Sequence, residues 1–363
     1  MIFRKIKILN MSISKLFLIY FILKSFITMF LIFFLPEIFG RSYFKYDDFL
    51  SYANCDINSP NGFYSLFLCV INANSISDPR VIITALLINT TRDFLLINII
   101  AKIKLLKSKG LMFFVCILAL HPYLALYHAR LTTSSFAVVG VLLMYYVLAS
   151  KKQTNIFIDL SFIILTGFRN SLAGLFLPYY IWEIIRQLRE IINKNANFDS
   201  YFIKNTISFM AIVYVVMLSG GYMTSFVTSA NVYSLDVPYF TQYLHTPYEL
   251  LNILLATALV LVSHIFLLLG FREAAYTEFP DFFIPLDGIA YFHIFAGVIL
   301  AIAHGAGFYY FLKSHLSQDR RYIIFIIILL PTLFSVAHLR YFLPFIPLAL
   351  IGLSMLVEKK LIH

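Results

Sequence analysis

Charged side chains are scarce: they make up 13% of the 363 residues, about half the density of an ordinary soluble domain. That scarcity excludes a soluble globular protein. Cysteine is scarcer still, with Cys55, Cys69 and Cys116 as its three occurrences and no C-x-x-C pair among them. Neither a disulfide framework nor a thiolate metal site is expected. The chain has no H-E-x-x-H or H-x-x-x-H spacing, no G-x-x-x-x-G-K-[ST] and no G-x-S-x-G. Zinc hydrolysis, ATP hydrolysis by a P-loop and serine acyl transfer therefore have no sequence support.

Apolar residues fill the space, at 61% of the chain, with 38 Phe and 24 Tyr. They are gathered in recurring runs of about 20 residues, each long enough to cross a bilayer core. Unpaired strands cannot span lipid, so the expected fold class is all-α. The expectation is one domain over residues 1–363, a polytopic integral membrane helix bundle with about 10–11 spanning helices. Segments 16–38, 81–101, 111–127, 131–149, 205–222, 249–270, 288–311, 322–337 and 341–358 each read as a span. The stretch 156–185, with Gly167-Phe168-Arg169-Asn170 in its middle, reads either as one long tilted helix or as a hairpin of two shorter ones, and the hairpin is favoured. The first run follows Arg4, Lys5, Lys7 and Lys15 but lacks a small-residue cleavage site, so it is read as a retained helix.

The formal charge of +10 sits in short clusters between apolar runs, which is the pattern of topogenic charge. No nucleic-acid partner is expected. Positive-inside placement puts the N-terminus, Lys102/Lys104/Lys107/Lys109, Lys151/Lys152 and Arg186/Arg189/Lys194 in the cytoplasm. Simple alternation would then carry Lys313, Arg320, Arg321 and Lys359/Lys360 outside, where their charge does not belong. The long loop 40–80 falls outside, and its apolar part at about 63–71 is too short to span, so it reads as an interfacial helix.

Three groups of residues could carry chemistry, because ionisable groups in or beside a membrane are costly. Asp47 and Asp48 open the outer loop among Tyr43, Phe44, Tyr46 and Phe49. Such a pair could deprotonate a hydroxyl or hold a divalent cation, and it could equally be solvated loop acid. Arg130, Arg169 and Arg340 fall near outer helix ends, where a guanidinium can grip phosphate oxygens or snorkel to headgroups. Arg92 and Asp93 lie mid-span and, as helix neighbours, are each expected to find a partner on another helix. His121, His128, His338 and Thr132 to Ser135 fit either phosphate donors at a helix start or interhelical hydrogen bonds. No protein metal site is expected beyond a divalent cation at Asp47/Asp48.

The loop Phe44-Lys45-Tyr46-Asp47-Asp48-Phe49-Leu50-Ser51-Tyr52, the run Ala129-Arg130-Leu131-Thr132 and Gly167-Phe168-Arg169-Asn170-Ser171-Leu172 resemble the EpsG-type exopolysaccharide polymerases. These stand with the O-antigen polymerase (Wzy) group. The late His338-Leu339-Arg340-Tyr341-Phe342-Leu343-Pro344 is similar to a feature of GT-C-type glycosyltransferases. The resemblance implies a glycosyltransferase in the bacterial inner membrane that joins undecaprenyl-diphosphate-linked oligosaccharide units at its outer face. Membrane lipid and a chain-length regulator protein are the implied partners. On that reading Asp47 or Asp48 is the general base, Arg130, Arg169 and Arg340 bind the leaving diphosphate, and Arg92, His128, His338 and Tyr46 line the substrate. Two alternatives stay open: a GT-C transferase with a polyprenyl-monophosphate sugar donor, and a polysaccharide flippase or transporter.

Overall fold

The computed structural model describes residues 13–39, 62–73, 75, 78–103, 105–121, 124–125, 127–149, 156–168, 176–194, 200–218, 288–326 and 345–362. Every regular element among them is helical, as the apolar runs require. In chain order the α-helices are α1 (Ile13–Phe39), α2 (Gly62–Val70), α3 (Pro79–Lys102), α4 (Ser108–Leu120), α5 (Thr133–Ala149), α6 (Ile156–Gly167), α7 (Leu177–Lys194), α8 (Ser200–Leu218), α9 (Gly288–Leu316) and α10 (Ile346–Ile362). A 3-10 turn, Arg320–Ile323, follows α9. Two stretches, Ser14–Phe33 of α1 and Pro79–Lys102, are long and apolar enough to cross a membrane. The expected spans at 249–270 and over most of 322–337 lie outside the described residues.

Helix α1 is amphipathic in the reverse of the soluble sense. Leu18, Phe21, Ile22, Phe26, Met29, Phe30 and Phe33 are exposed, while Tyr20, Lys24 and Thr28 are buried. In water this arrangement would be doubly unfavourable, because an apolar stripe stays wet while polar groups lose their hydration. The outer faces of α3, α6, α8 and α9 are likewise apolar, with Ile83, Leu87, Phe157, Ile164, Met210, Ile299 and Ile302 exposed.

The basic clusters collect at one end of the bundle. Lys102 at the foot of α3 donates to the Tyr146 hydroxyl of α5 at 2.8 Å. The Lys107 amide donates to Glu358 near the end of α10 at 2.8 Å. Tyr145 and His315 of α9 are 3.3 Å apart, and Arg321 lies 4.0 Å from Glu183 of α7. Arg321 and Glu358 thus lie at the same end of the bundle as Lys102 and Arg186.

Helices α9 and α10 pack with their backbones nearly touching. A Cβ on Gly352 would collide with the Gly307 carbonyl and the Phe311 amide, and one on Gly307 with the Ala349 carbonyl. Phe308 meets Phe345, so the two helices run in the same direction and finish at the basic end. Small residues permit such close approach where packing alone must hold helices together.

The hairpin reading of 156–185 fits two helices, α6 and α7, whose chain doubles back. Phe162 stacks on Tyr180 with centroids 6.1 Å apart, and Tyr180 donates to Asp159 at 3.3 Å. A continuous helix would hold Asp159 and Tyr180 about 30 Å apart at 1.5 Å per residue. Lys204 of α8 pairs with the same Asp159 at 3.0 Å.

Helix α2 covers the short apolar stretch expected at about 63–71 and is partly sunk into the bundle. Tyr64 and Leu68 pack with Val81, Ala85, Leu131 and Phe136, and the Tyr64 hydroxyl donates to the Leu131 carbonyl at 2.8 Å. Val70 is left exposed. Cys69, in this helix, is disulfide-bonded, whereas Cys116 is a free thiol. The expectation of cysteines without a disulfide is therefore corrected: spacing in sequence carries no information on which loops fold back.

Candidate functional site

Toward the end away from the basic clusters, α4 stops early. It holds 13 residues, so at 1.5 Å per residue it is about 20 Å long. His121, its C-terminal cap, is already extended (φ −61°, ψ 118°), because a residue before proline is pushed out of the helical region. The expected span 111–127 is thus cut short at Leu120. The connection to α5 is buried at His121, Leu124, Ala125, Tyr127, His128, Ala129, Arg130, Leu131 and Thr132. Buried loop backbone must find hydrogen-bond partners. Here side chains supply them: the Asn89 amide of α3 donates to the Tyr127 and His128 carbonyls at 3.2 and 2.9 Å, and Tyr64 takes Leu131.

Around this break lies a cluster of ionisable side chains. Arg92 Nε donates to Asp93 Oδ1 at 2.6 Å, and Arg92 Nη1 to Asn89 Oδ1 at 2.9 Å. The expectation that helix neighbours cannot pair is overturned for this couple. That rule describes Cβ directions on an open helix surface, whereas a long guanidinium with no water around it folds back onto the nearest carboxylate. Asp93 does find its expected partner on another helix: the Tyr20 hydroxyl of α1 donates to Oδ2 at 2.5 Å. Lys24, one turn further along α1, donates to the Leu118 carbonyl at 3.3 Å. Arg92 and Lys24 are each 1% exposed and Asp93 is 0% exposed.

The histidines complete the cluster. His121 and His304 of α9 approach Nε2 to Nε2 at 2.7 Å. The Leu124 amide donates to His121 Nδ1 at 3.3 Å, which leaves the proton of a neutral His121 on Nε2, directed at His304. His128 Nε2 lies 3.4 Å from the Thr90 hydroxyl. Arg92 Nη2, His128 Nδ1 and Thr28 Oγ1 are buried in this region with no hydrogen-bond partner among the described residues.

Of the residues singled out from sequence, Arg92 and His128 meet in this cluster. Arg130 is on the same connection, its guanidinium over the Tyr127 ring at 5.7 Å. Thr132 and Ser135 serve the local backbone, since Thr132 Oγ1 accepts the Ser135 amide at 3.3 Å and caps α5, as hydroxyls at helix starts commonly do. Asp47, Asp48, Tyr46, Arg169, His338 and Arg340 lie outside the described residues. Sequence reasoning missed Tyr20, Lys24, Thr28 and His304. Lys24 adds a third buried charge within a helix to Arg92 and Asp93, and its signal was legible as polar residues at four-residue spacing on one helix face.

No protein-family model, curated protein or solved structure matches this chain. No group of three or more His, Cys, Asp or Glu side chains suited to a metal is found among the described residues.

At the basic end a second polar network joins α7, α8 and the 3-10 turn. Glu183 receives Arg186 at 2.8 Å and Tyr201 at 3.3 Å. Asp319 binds Arg321 through Nε and Nη2 at 2.8 and 2.6 Å, and these charge-assisted bonds hold the Arg321 guanidinium above its ordinary pKa. Each acid is matched by a base, the arrangement of an interhelical clamp.

Proposed function

We propose that this protein is an integral membrane glycosyltransferase, of the surface-polysaccharide polymerase kind, that joins polyprenyl-diphosphate-linked oligosaccharides. The observation that carries the reading is the buried Arg92–Asp93–Lys24–histidine cluster at a helix break, inside a bundle whose outward faces are apolar. Ionisable groups at such depth are retained for function far more readily than for packing, and broken backbone at membrane depth is tolerated where it lines a protein interior. The basic end is the cytoplasmic one. Cys69 with its disulfide supports the opposite end as the oxidising side.

In the reaction, an acceptor sugar hydroxyl attacks the anomeric carbon of the donor while the carbon–oxygen bond to the diphosphate breaks. The diphosphate leaves with the bonding pair. Asp47 or Asp48 takes the hydroxyl proton, with a divalent cation as an alternative occupant of the pair. Arg130, Arg169 and Arg340 stabilise charge on the departing diphosphate.

The test is elongation of a lipid-linked oligosaccharide by purified protein in vesicles without any sugar nucleotide. Asp47→Asn, Asp48→Asn and Arg169→Ala are expected to shorten or abolish the polymer while the protein still inserts. Unchanged polymer in all three removes these roles. A transport reading draws on the charge at mid-helix, Lys24 with Arg92 and Asp93. Movement of the lipid-linked unit across the vesicle without elongation would establish it in place of transfer.

A further inference from the structure

Helix α1 turns Tyr20, Lys24 and Thr28 into the bundle, a polar stripe at four-residue spacing. What they face is short of negative charge. Lys24 and Arg92 bring two cations to the single Asp93, and both oxygens of Asp93 are already engaged, one by Arg92 Nε and the other by Tyr20. Lys24 makes no ion pair among the described residues and uses one of its three donors, on the Leu118 carbonyl. Arg92 Nη2, Thr28 Oγ1 and His128 Nδ1 are buried without a partner among the described residues. Tyr20 reaches Asp93 and Lys24, one turn along the same helix, reaches Leu118, so Lys24, Arg92 and Asp93 share one buried region. A surplus buried cation surrounded by unused donors is strongly unfavourable, and it is relieved either by loss of the lysine proton or by an anion that completes the site.

We propose that Lys24 and the unpaired Nη2 edge of Arg92 form an anion site between α1, α3 and α4 that takes the phosphoryl oxygens of a diphosphate. Thr28 and His128 supply the neutral contacts. The donors come from α1, α3 and the α4–α5 connection, a spread that surrounds more acceptor oxygens than a carboxylate presents. Arg92 offers a planar edge for one phosphate oxygen pair and Lys24 a point charge. The glycosyltransferase reading identifies the diphosphate as that of a lipid-linked sugar, and the inference rests on it for that identity. The new element is Lys24 of the first helix as the deciding charge.

The experiment uses the full chain in nanodiscs of neutral lipid. Binding of inorganic pyrophosphate and of undecaprenyl diphosphate is followed by the rise in unfolding temperature with ligand concentration. Lys24→Met is expected to weaken binding about ten- to hundred-fold, the equivalent of one charge-assisted hydrogen bond, while Lys24→Arg retains it. Binding of both probes places the recognition in the phosphates themselves; binding of the lipid alone places it in a headgroup delivered from the bilayer. Either supports the site. No binding of either probe to the wild type, wild-type binding by Lys24→Met, or equal binding of glucuronate as a carboxylate control overturns it. Should Lys24→Met not fold, Lys24→Arg and Thr28→Val decide. Binding kept in the first and weakened several-fold in the second supports the site, and unchanged binding in Thr28→Val overturns it. Because binding is read without turnover, the two readings fail separately. Elongation with Lys24-independent binding sinks the anion site alone, and Lys24-dependent binding without elongation from any donor sinks the transferase alone.

Discussion

Replacing Asp93 by Asn keeps the shape of the side chain and removes the charge that holds Arg92 and Tyr20. Arg92 is then a buried cation facing neutral amide oxygens, that of Asn89 at 2.9 Å and that of the new side chain, with no counter-ion. Breaking a buried pair from one side costs about 3–5 kcal/mol, because the remaining charge is stranded. Removing the charges together is a different matter. In the variant Tyr20→Phe, Lys24→Met, Arg92→Met, Asp93→Leu, every charge that leaned on Asp93 is gone and Asn89 Oδ1 is the acceptor left short of a donor, so stability is expected to fall by less than in Asp93→Asn. Tyr20→Phe alone should cost about 1.5–3 kcal/mol, the value of a hydrogen bond to a charged acceptor. The assay is reversible unfolding in mixed micelles for these proteins, the double variant Tyr20→Phe, Asp93→Asn and the wild type, with the coupling taken from the non-additivity of the two single changes in the double variant. A loss below about 1 kcal/mol in Asp93→Asn, or strict additivity, would mean that water or a masking rearrangement reaches Arg92, and the account of a dry, interdependent cluster would be wrong.

Other consequences are open to simpler measurement. Gly352→Leu forces α9 and α10 apart and should lower stability by about 1–3 kcal/mol or more, seen as a lower unfolding temperature; an unchanged value would contradict the close helix contact. In a Cys116→Ala background, a membrane-impermeant maleimide should label Arg80→Cys from outside the cell and Ser317→Cys only after the membrane is opened. Labelling of both from one side would refute the sidedness drawn from the basic end. Tyr64→Phe loses the bond to the Leu131 carbonyl and should cost about 0.5–1.5 kcal/mol, with faster amide exchange in the α4–α5 connection as its signature. Glu358→Ala removes the acceptor of the Lys107 amide, and protease access to the α3–α4 connection should rise if that bond anchors the end of α10.

Much of the fold was legible along the chain. Apolar run length and the cost of unpaired backbone in lipid are local properties, and they gave α1, α3, α5 and α9 within a few residues at most starts and ends. The apolar run 111–127 read straight through Pro122, before which α4 stops, whereas the basic clusters identified the end where Lys107, Arg321 and Glu358 lie. Counting spans left the C-terminal charges in conflict, and the contact between Arg321 and Glu183 puts Arg321 at the end of the bundle that holds Arg186. What no local reading could supply was rotation. Each residue turns a helix face by about 100°, so whether Lys24 looks at lipid or at Arg92 depends on how α1 rolls against α3 and α4. That roll is fixed by side chains such as Tyr20, Asp93 and Leu118, which lie far apart in the chain. Composition and periodicity determined that this protein is a set of apolar helices with clusters of basic residues between them; tertiary packing alone brought Lys24, Arg92, Asp93 and the histidines to one place, because polar contacts between helices answer to orientation and not to sequence distance.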